Sequence, residues 1–171
     1  MEKKKVNTKK ISGIGLMIAL AFVLSYIESM MPINIGIPGI KPGFSNIVVI
    51  FSLYVYSPLT AFGIAIVRII LVGLTFGNFA SLMYSFAGGM LSFVIMYVLR
   101  RLDLFSVNGV SVAGGVSHNI GQIIVAMLVL KTKLLIYYLP ALIISGMIAG
   151  IVVGIAGGLL IKRIGRYMNE M

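Results

Sequence analysis

Few side chains in this sequence can act on a polar solute, and most of them sit where lipid is expected. Arg68 lies ten residues past Pro58, which at 1.5 Å per residue is about 15 Å into an apolar run. That is near the middle of a hydrocarbon core of about 30 Å, too deep for the guanidinium to reach the interface. An arginine there is either a fixed cation for an anionic group on a ligand or a structural partner of a helix carbonyl or of Glu28. His118, Asn119 and Gln122 form a second group. His118 and Gln122 are four apart and share a helix face; Asn119 and Gln122 are three apart. Counted from Val110, His118 is about 12 Å deep and Gln122 about 18 Å deep. Arg68, counted from the same side, falls between them. Such a layer, on a helix that also carries Gly114, Gly115 and Gly121, predicts a binding cavity. The competing explanation is interhelical hydrogen bonding, worth about 0.6 kcal/mol per contact.

Glu28 ends the first apolar run, about 25 Å from its start and near the opposite face. It is either an interfacial carboxylate in water or part of the rim of the cavity. The segment 33–45, with Lys41 and then Asn46 beyond it, is rich in proline and glycine. It suits an ordered flap that carries binding residues, or a plain connector. A lone histidine without cysteine makes no metal site, so no metal is expected. Asp103 is the one aspartate in the sequence, so no aspartate-rich motif is present to hold a Mg²⁺-diphosphate. Walker A, GxSxG, HExxH and CxxC patterns are absent. No catalytic residues and no cofactor are expected, and energy for any transport has to come from a partner or a gradient.

The elements that must position these residues are membrane spans. Of 171 residues, 60% are hydrophobic and 11% charged, and the mean hydropathy is +1.10. Soluble domains carry about 25% charged residues, so part of the solvent is lipid. The apolar runs predict an all-α integral membrane bundle of about six spans, near 11–27, 44–56, 59–76, 79–99, 110–130 and 135–161, with a short second one. The chain reads as a single transmembrane domain: a basic segment over 1–10 and a bundle over 11–163. Turns fall at Ser57-Pro58 and Gly77-Asn78. The first run is long for a signal peptide and lacks a convincing cleavage site.

The net charge of +10 would suggest nucleic acid in a soluble protein. Here the cations flank spans, which points to topology and anionic lipid instead. With the N-terminus inside, ten positive residues face the cytoplasm: Lys3, Lys4, Lys5, Lys9, Lys10, Arg100, Arg101, Lys162, Arg163 and Arg166. Lys41, Lys131 and Lys133 face outward. That asymmetry predicts a multi-pass cell-membrane protein with both termini cytoplasmic. Small residues add contact stripes: Gly146, Gly150, Gly154 and Gly158 on the sixth span, and Gly15 and Ala19 on the first. The former suit packing within the bundle. The latter suit either packing or a docking face for a membrane partner.

The runs Lys41-Pro42-Gly43-Phe44-Ser45-Asn46, Phe105 to Asn119, and Gly121-Gln122 resemble the Gx transporter family, also known as heptaprenyl diphosphate synthase component I. The similarity extends over about 11–163, and His118-Asn119-Ile120-Gly121-Gln122 is its most specific part. The family's usual Gly-Leu-Ala-Asn stands here as Gly43-Phe44-Ser45-Asn46. The family is similar in turn to the substrate-binding S components of energy-coupling factor (ECF) transporters. That resemblance implies an outward-opening ligand site under a loop such as 33–45, and a first helix whose Gly15 and Ala19 dock a coupling membrane protein that works with two ATPases. Arg68, His118, Asn119 and Gln122 would line the site, with Lys41, Asn46 and Glu28 at its rim. The alternative expectation is a non-catalytic membrane subunit associated with a heptaprenyl or polyprenyl diphosphate synthase.

Overall fold

The computed structural model describes residues 8–30 and 43–169, with side chains up to 164. Lys3, Lys4, Lys5, Lys41, most of the loop 33–45 and the side chain of Arg166 therefore lie outside the described residues. The described chain is all helix apart from turns: α1 (Thr8–Met30), α2 (Asn46–Val55), α3 (Pro58–Thr75), α4 (Phe79–Leu102), α5 (Val107–Val129), a 3-10 turn over Leu134–Tyr138, and α6 (Leu139–Asn169). Five of these segments are long and apolar enough to cross a membrane. Large apolar side chains such as Leu59, Leu74, Leu128 and Ile148 stand exposed on the outside of the bundle, which is where lipid belongs.

The second expected span departs from the sequence reading. α2 has ten residues, a rise of about 15 Å, half of a hydrocarbon core. It is joined to α3 by a tight turn in which Ser57 Oγ accepts from the Thr60 N–H at 3.2 Å and Pro58 opens α3, a position where its missing N–H costs nothing. The pair runs antiparallel, so the N-terminal turn of α2 ends up level with Arg68. Asn78 caps α4 by accepting from Ser81 N–H at 2.8 Å, and Ser106 caps α5 by accepting from Gly109 N–H at 3.3 Å. The Arg100 guanidinium lies 5.0 Å over the Tyr54 ring, which ties the C-terminal ends of α2 and α4 together. Met17 and Leu20 of α1 share an apolar crevice with Leu160 and Ile164 of α6. These contacts gather Lys9, Lys10, Arg100, Arg101, Lys162 and Arg163 at one end of the bundle, while Lys131 and Lys133 sit at the other.

α5 is the central helix, packed closely on both α4 and α6, and glycine makes this approach possible. A Cβ on Gly150 would stand 2.6 Å from Val112 Cα, and one on Gly146 would stand 2.8 Å from the Gly115 carbonyl oxygen. On the other flank, a Cβ on Gly121 would stand 2.8 Å from the Ala87 carbonyl oxygen. The stripe Gly146, Gly150 and Gly154 is thus a contact inside the bundle. Gly150→Val should lower stability by about 2 kcal/mol, the usual cost of overpacking. Thermal unfolding in detergent checks this, and an unchanged melting temperature would contradict the α5–α6 contact.

α1 is the outlier. It packs chiefly on α2 and α3, with the rings of Phe22 and Tyr26 5.0 and 4.9 Å from that of Phe76. Its buried residues are Ala21, Ser25 and Glu28, one stripe at helical spacing. Gly15 and Ala19 are exposed, and nothing lies within 4 Å of the place where a Gly15 Cβ would be.

Candidate ligand-binding cavity

The polar layer is a real feature of the bundle. A cavity of about 30 Å³ is lined by Ser25 and Glu28 of α1, Gly43 and Ser45 before α2, Arg68 of α3, Ser85 of α4, and His118 and Gln122 of α5. Arg68 is 5% exposed, His118 3% and Gln122 0%. Gly88 permits this arrangement: a Cβ there would stand 2.7 Å from both Gln122 Cγ and the His118 carbonyl oxygen, so a larger residue would push α5 off α4.

Hydrogen bonding around the cavity is incomplete. Arg68 Nη1 donates to Ser45 Oγ, a neutral acceptor. Arg68 Nε, His118 Nδ1 and both amide atoms of Gln122 are buried without a protein partner. Buried polar groups are almost always satisfied; others without a partner, such as Ser52, Ser92 and Ser111, are scattered through the bundle, but these four atoms belong to three residues that line one cavity. A volume of about 30 Å³ has room for about two water molecules. Pockets that enclose a small-molecule ligand start at about 300 Å³, so such a ligand requires a wall to move, and α1 is the least firmly held wall.

Glu28 is also placed differently from the straight helical count, which put it about 10 Å from Arg68 in depth. It is 5% exposed and lines the same cavity as Arg68. Its Oε1 accepts from the backbone N–H of Gly43 and, at 3.3 Å, from that of Phe44. These groups belong to the turn that leads into α2, whose own first N–H groups, those of Asn46, Ile47 and Val48, bond back to the carbonyls of Gly43, Phe44 and Ser45. The carboxylate is held by the two N–H groups ahead of the helix and lies near the positive end of its dipole. Gly43 has φ +85, and a Cβ there would stand 3.0 Å from Asn46 Nδ2. Glycine is the residue that fits both constraints.

The sequence-derived group divides. Asn119 turns away from the cavity: its Nδ2 donates to the Leu142 carbonyl at 2.7 Å and to Ser145 Oγ at 3.1 Å, fastening α5 to α6. Asn46 lines a separate small space with Gly43, Met96, Ser111 and Gly150. Ser25, Ser45 and Ser85 are cavity residues that the sequence reading did not single out as polar ligands. Ser25 was legible through its three-residue spacing from Glu28, which puts both on one face. Asn119→Ala should cost up to about 2 kcal/mol of stability through the lost interhelical bond while changing ligand affinity little. Melting and binding measured on the same preparation separate the two effects.

Among the described residues, no three His, Asp or Glu side chains gather as a metal site would need. Asp103 serves the fold, ending α4 at φ 54. No curated protein and no solved structure matches the chain. The family model for heptaprenyl diphosphate synthase component I matches residues 17–160, a stretch that includes every residue lining the cavity. This chain, an all-helical membrane bundle with a polar cavity at mid-depth, belongs to the heptaprenyl diphosphate synthase component I family.

Proposed function

We propose that the chain is a membrane subunit that captures a small anionic molecule for uptake, in the manner of an ECF S component, with transport driven by a coupling membrane protein and two ATPases supplied in trans. The observation that carries this is Arg68. It is buried at mid-depth with a neutral hydroxyl as acceptor and Nε unpaired, while the Glu28 carboxylate beside it is engaged by the turn that leads into α2. Glu28 lines the same cavity and offsets part of that charge, but a buried cation whose carboxylate neighbour is shared with backbone donors still favours a further anion. Gln122 and His118 add hydrogen-bonding capacity in the same cavity, and Ser25, Ser45 and Ser85 add hydroxyls. In this proposal the basic end of the bundle faces the cytoplasm, by the positive-inside rule. The cavity opens outward, and exposed Gly15 and Ala19 form the docking face on α1.

The family description favours a second role, a non-catalytic membrane subunit of a prenyl diphosphate synthase. That role puts a soluble synthase on the basic end, at 3–10 or at Arg100 and Arg101. In both roles the chain itself performs no chemistry. Gentle-detergent affinity purification from the native membrane, followed by mass spectrometry of retained proteins, tests this. A coupling membrane protein with two ATPases is the expected outcome. Stoichiometric recovery of a prenyl synthase without ATPases would replace the transport role with the second one.

A further inference from the structure

The turn that leads into α2 is built as an anion cradle, and a side chain of the protein already fills it. The N–H groups of Gly43 and Phe44 converge on Glu28 Oε1. The Arg68 guanidinium reaches Ser45 of the same turn. The cavity alongside holds buried, unpartnered Arg68 Nε, His118 Nδ1 and Gln122 amide atoms. A turn of that kind at mid-depth, next to an arginine, matches what an incoming oxyanion needs. Glu28 reaches it from α1, the helix with the least packing to the rest of the bundle.

We propose that the ligand's anionic group, a carboxylate- or phosphate-like oxyanion, displaces Glu28 from the turn that leads into α2. It then binds the Gly43 and Phe44 N–H groups together with Arg68. This rests on the cavity being the ligand site. Glu28 is then a tethered competitor. Two anions cannot share one pair of N–H donors, so binding requires its withdrawal, and withdrawal carries the end of α1 outward. The same movement widens a cavity whose resting volume, about 30 Å³, is too small for a ligand of ordinary size. A self-occupied site lowers apparent affinity in proportion to the fraction of molecules from which Glu28 has withdrawn. Weakening the internal anion should therefore tighten external binding.

Glu28→Gln keeps an oxygen that can accept from the two N–H groups and removes the charge. The full-length protein in detergent is titrated with acetate and, separately, with inorganic phosphate, with binding read by calorimetry and by thermal shift. Glu28→Gln is expected to bind the responding anion about tenfold more tightly than the unaltered protein, and Arg68→Met to lose the response. Equal or weaker binding by Glu28→Gln, with a response that still needs Arg68, would overturn the displacement while leaving the cavity as the ligand site. No Arg68-dependent response in any variant would overturn both. Should Glu28→Gln fail to fold, Glu28→Asp serves instead. Its shorter arm grips the turn less well, so tighter anion binding is expected, and weaker binding counts against displacement.

Discussion

Arg68→Ala should lower ligand affinity by at least about 30-fold while the solubilised bundle stays folded. Truncating one partner of a buried, hydrogen-bonded charge pair costs about 2–5 kcal/mol, and each 1.4 kcal/mol is about tenfold in affinity. Stability should move differently. Arg68 is 5% exposed and its guanidinium donates to the neutral Ser45 hydroxyl. Removing the cation leaves the buried Glu28 carboxylate of the same cavity without its positive neighbour, which costs stability, though its two backbone N–H donors limit that cost. Arg68→Met, which keeps more of the side-chain volume, should therefore stay folded but melt somewhat below the unaltered protein. A binding assay with the ligand extracted from purified protein, run beside thermal unfolding, reads both effects. Unchanged affinity would remove Arg68 from the site. Loss of the fold in both variants would instead make it a structural partner of Glu28 and Ser45.

Gly43→Ala should weaken binding by at least about tenfold and cost about 1–2 kcal/mol of stability, the usual penalty for an L-residue in left-handed backbone. The φ of +85 at Gly43 is what turns its N–H toward Glu28. The added Cβ would sit 3.0 Å from Asn46 Nδ2 and 3.6 Å from His118 Cδ2. Relief requires rotating the turn away, which withdraws two donors from the cradle and shifts the imidazole. Gly63→Ala is the control. A Cβ at Gly63 meets nothing within 4 Å, and it lies inside α3, where alanine should add roughly 0.5–1 kcal/mol of stability. Parallel melting and binding curves decide the point. Matching behaviour of the two variants would show that the Gly43 turn has no special part in the site.

The membrane class, the long spans and the mid-depth layer of Arg68, His118 and Gln122 were legible because each follows from hydropathy and helical rise alone. What escaped depends on orientation and reach. Asn119 was grouped with its neighbours, yet consecutive residues on a helix point about 100° apart, and Asn119 faces α6 while His118 faces the cavity. The separation of Glu28 from Arg68 came from treating the spans as upright rods with a common starting plane. Tilts of about 20° are usual, and both side chains are long. α2 was read as a span over 44–56 because hydropathy records composition and not depth. That its N-terminal turn sits level with Arg68 follows only once Ser45 and Arg68 are seen to bond. Ser45 is also where the sequence departs from the usual Gly-Leu-Ala-Asn of the resemblance, and the departure supplies the hydroxyl that meets the guanidinium. The glycine stripe on α6 was legible as a close contact, but its partner, α5, was not, since spacing names a face and not its neighbour.

In the proposed role, the cavity between Arg68, His118 and Gln122 holds a small anion. The most direct test is a high-resolution density map of the protein purified in gentle detergent from its native membrane. The expected result is density larger than water in contact with the Arg68 guanidinium and the Gln122 amide, with α1 displaced at Glu28. A cavity holding only ordered water, bonded to Gln122 and His118 with Glu28 still seated on the α2 turn, would contradict the claim and make the polar layer a hydrated structural feature of the bundle.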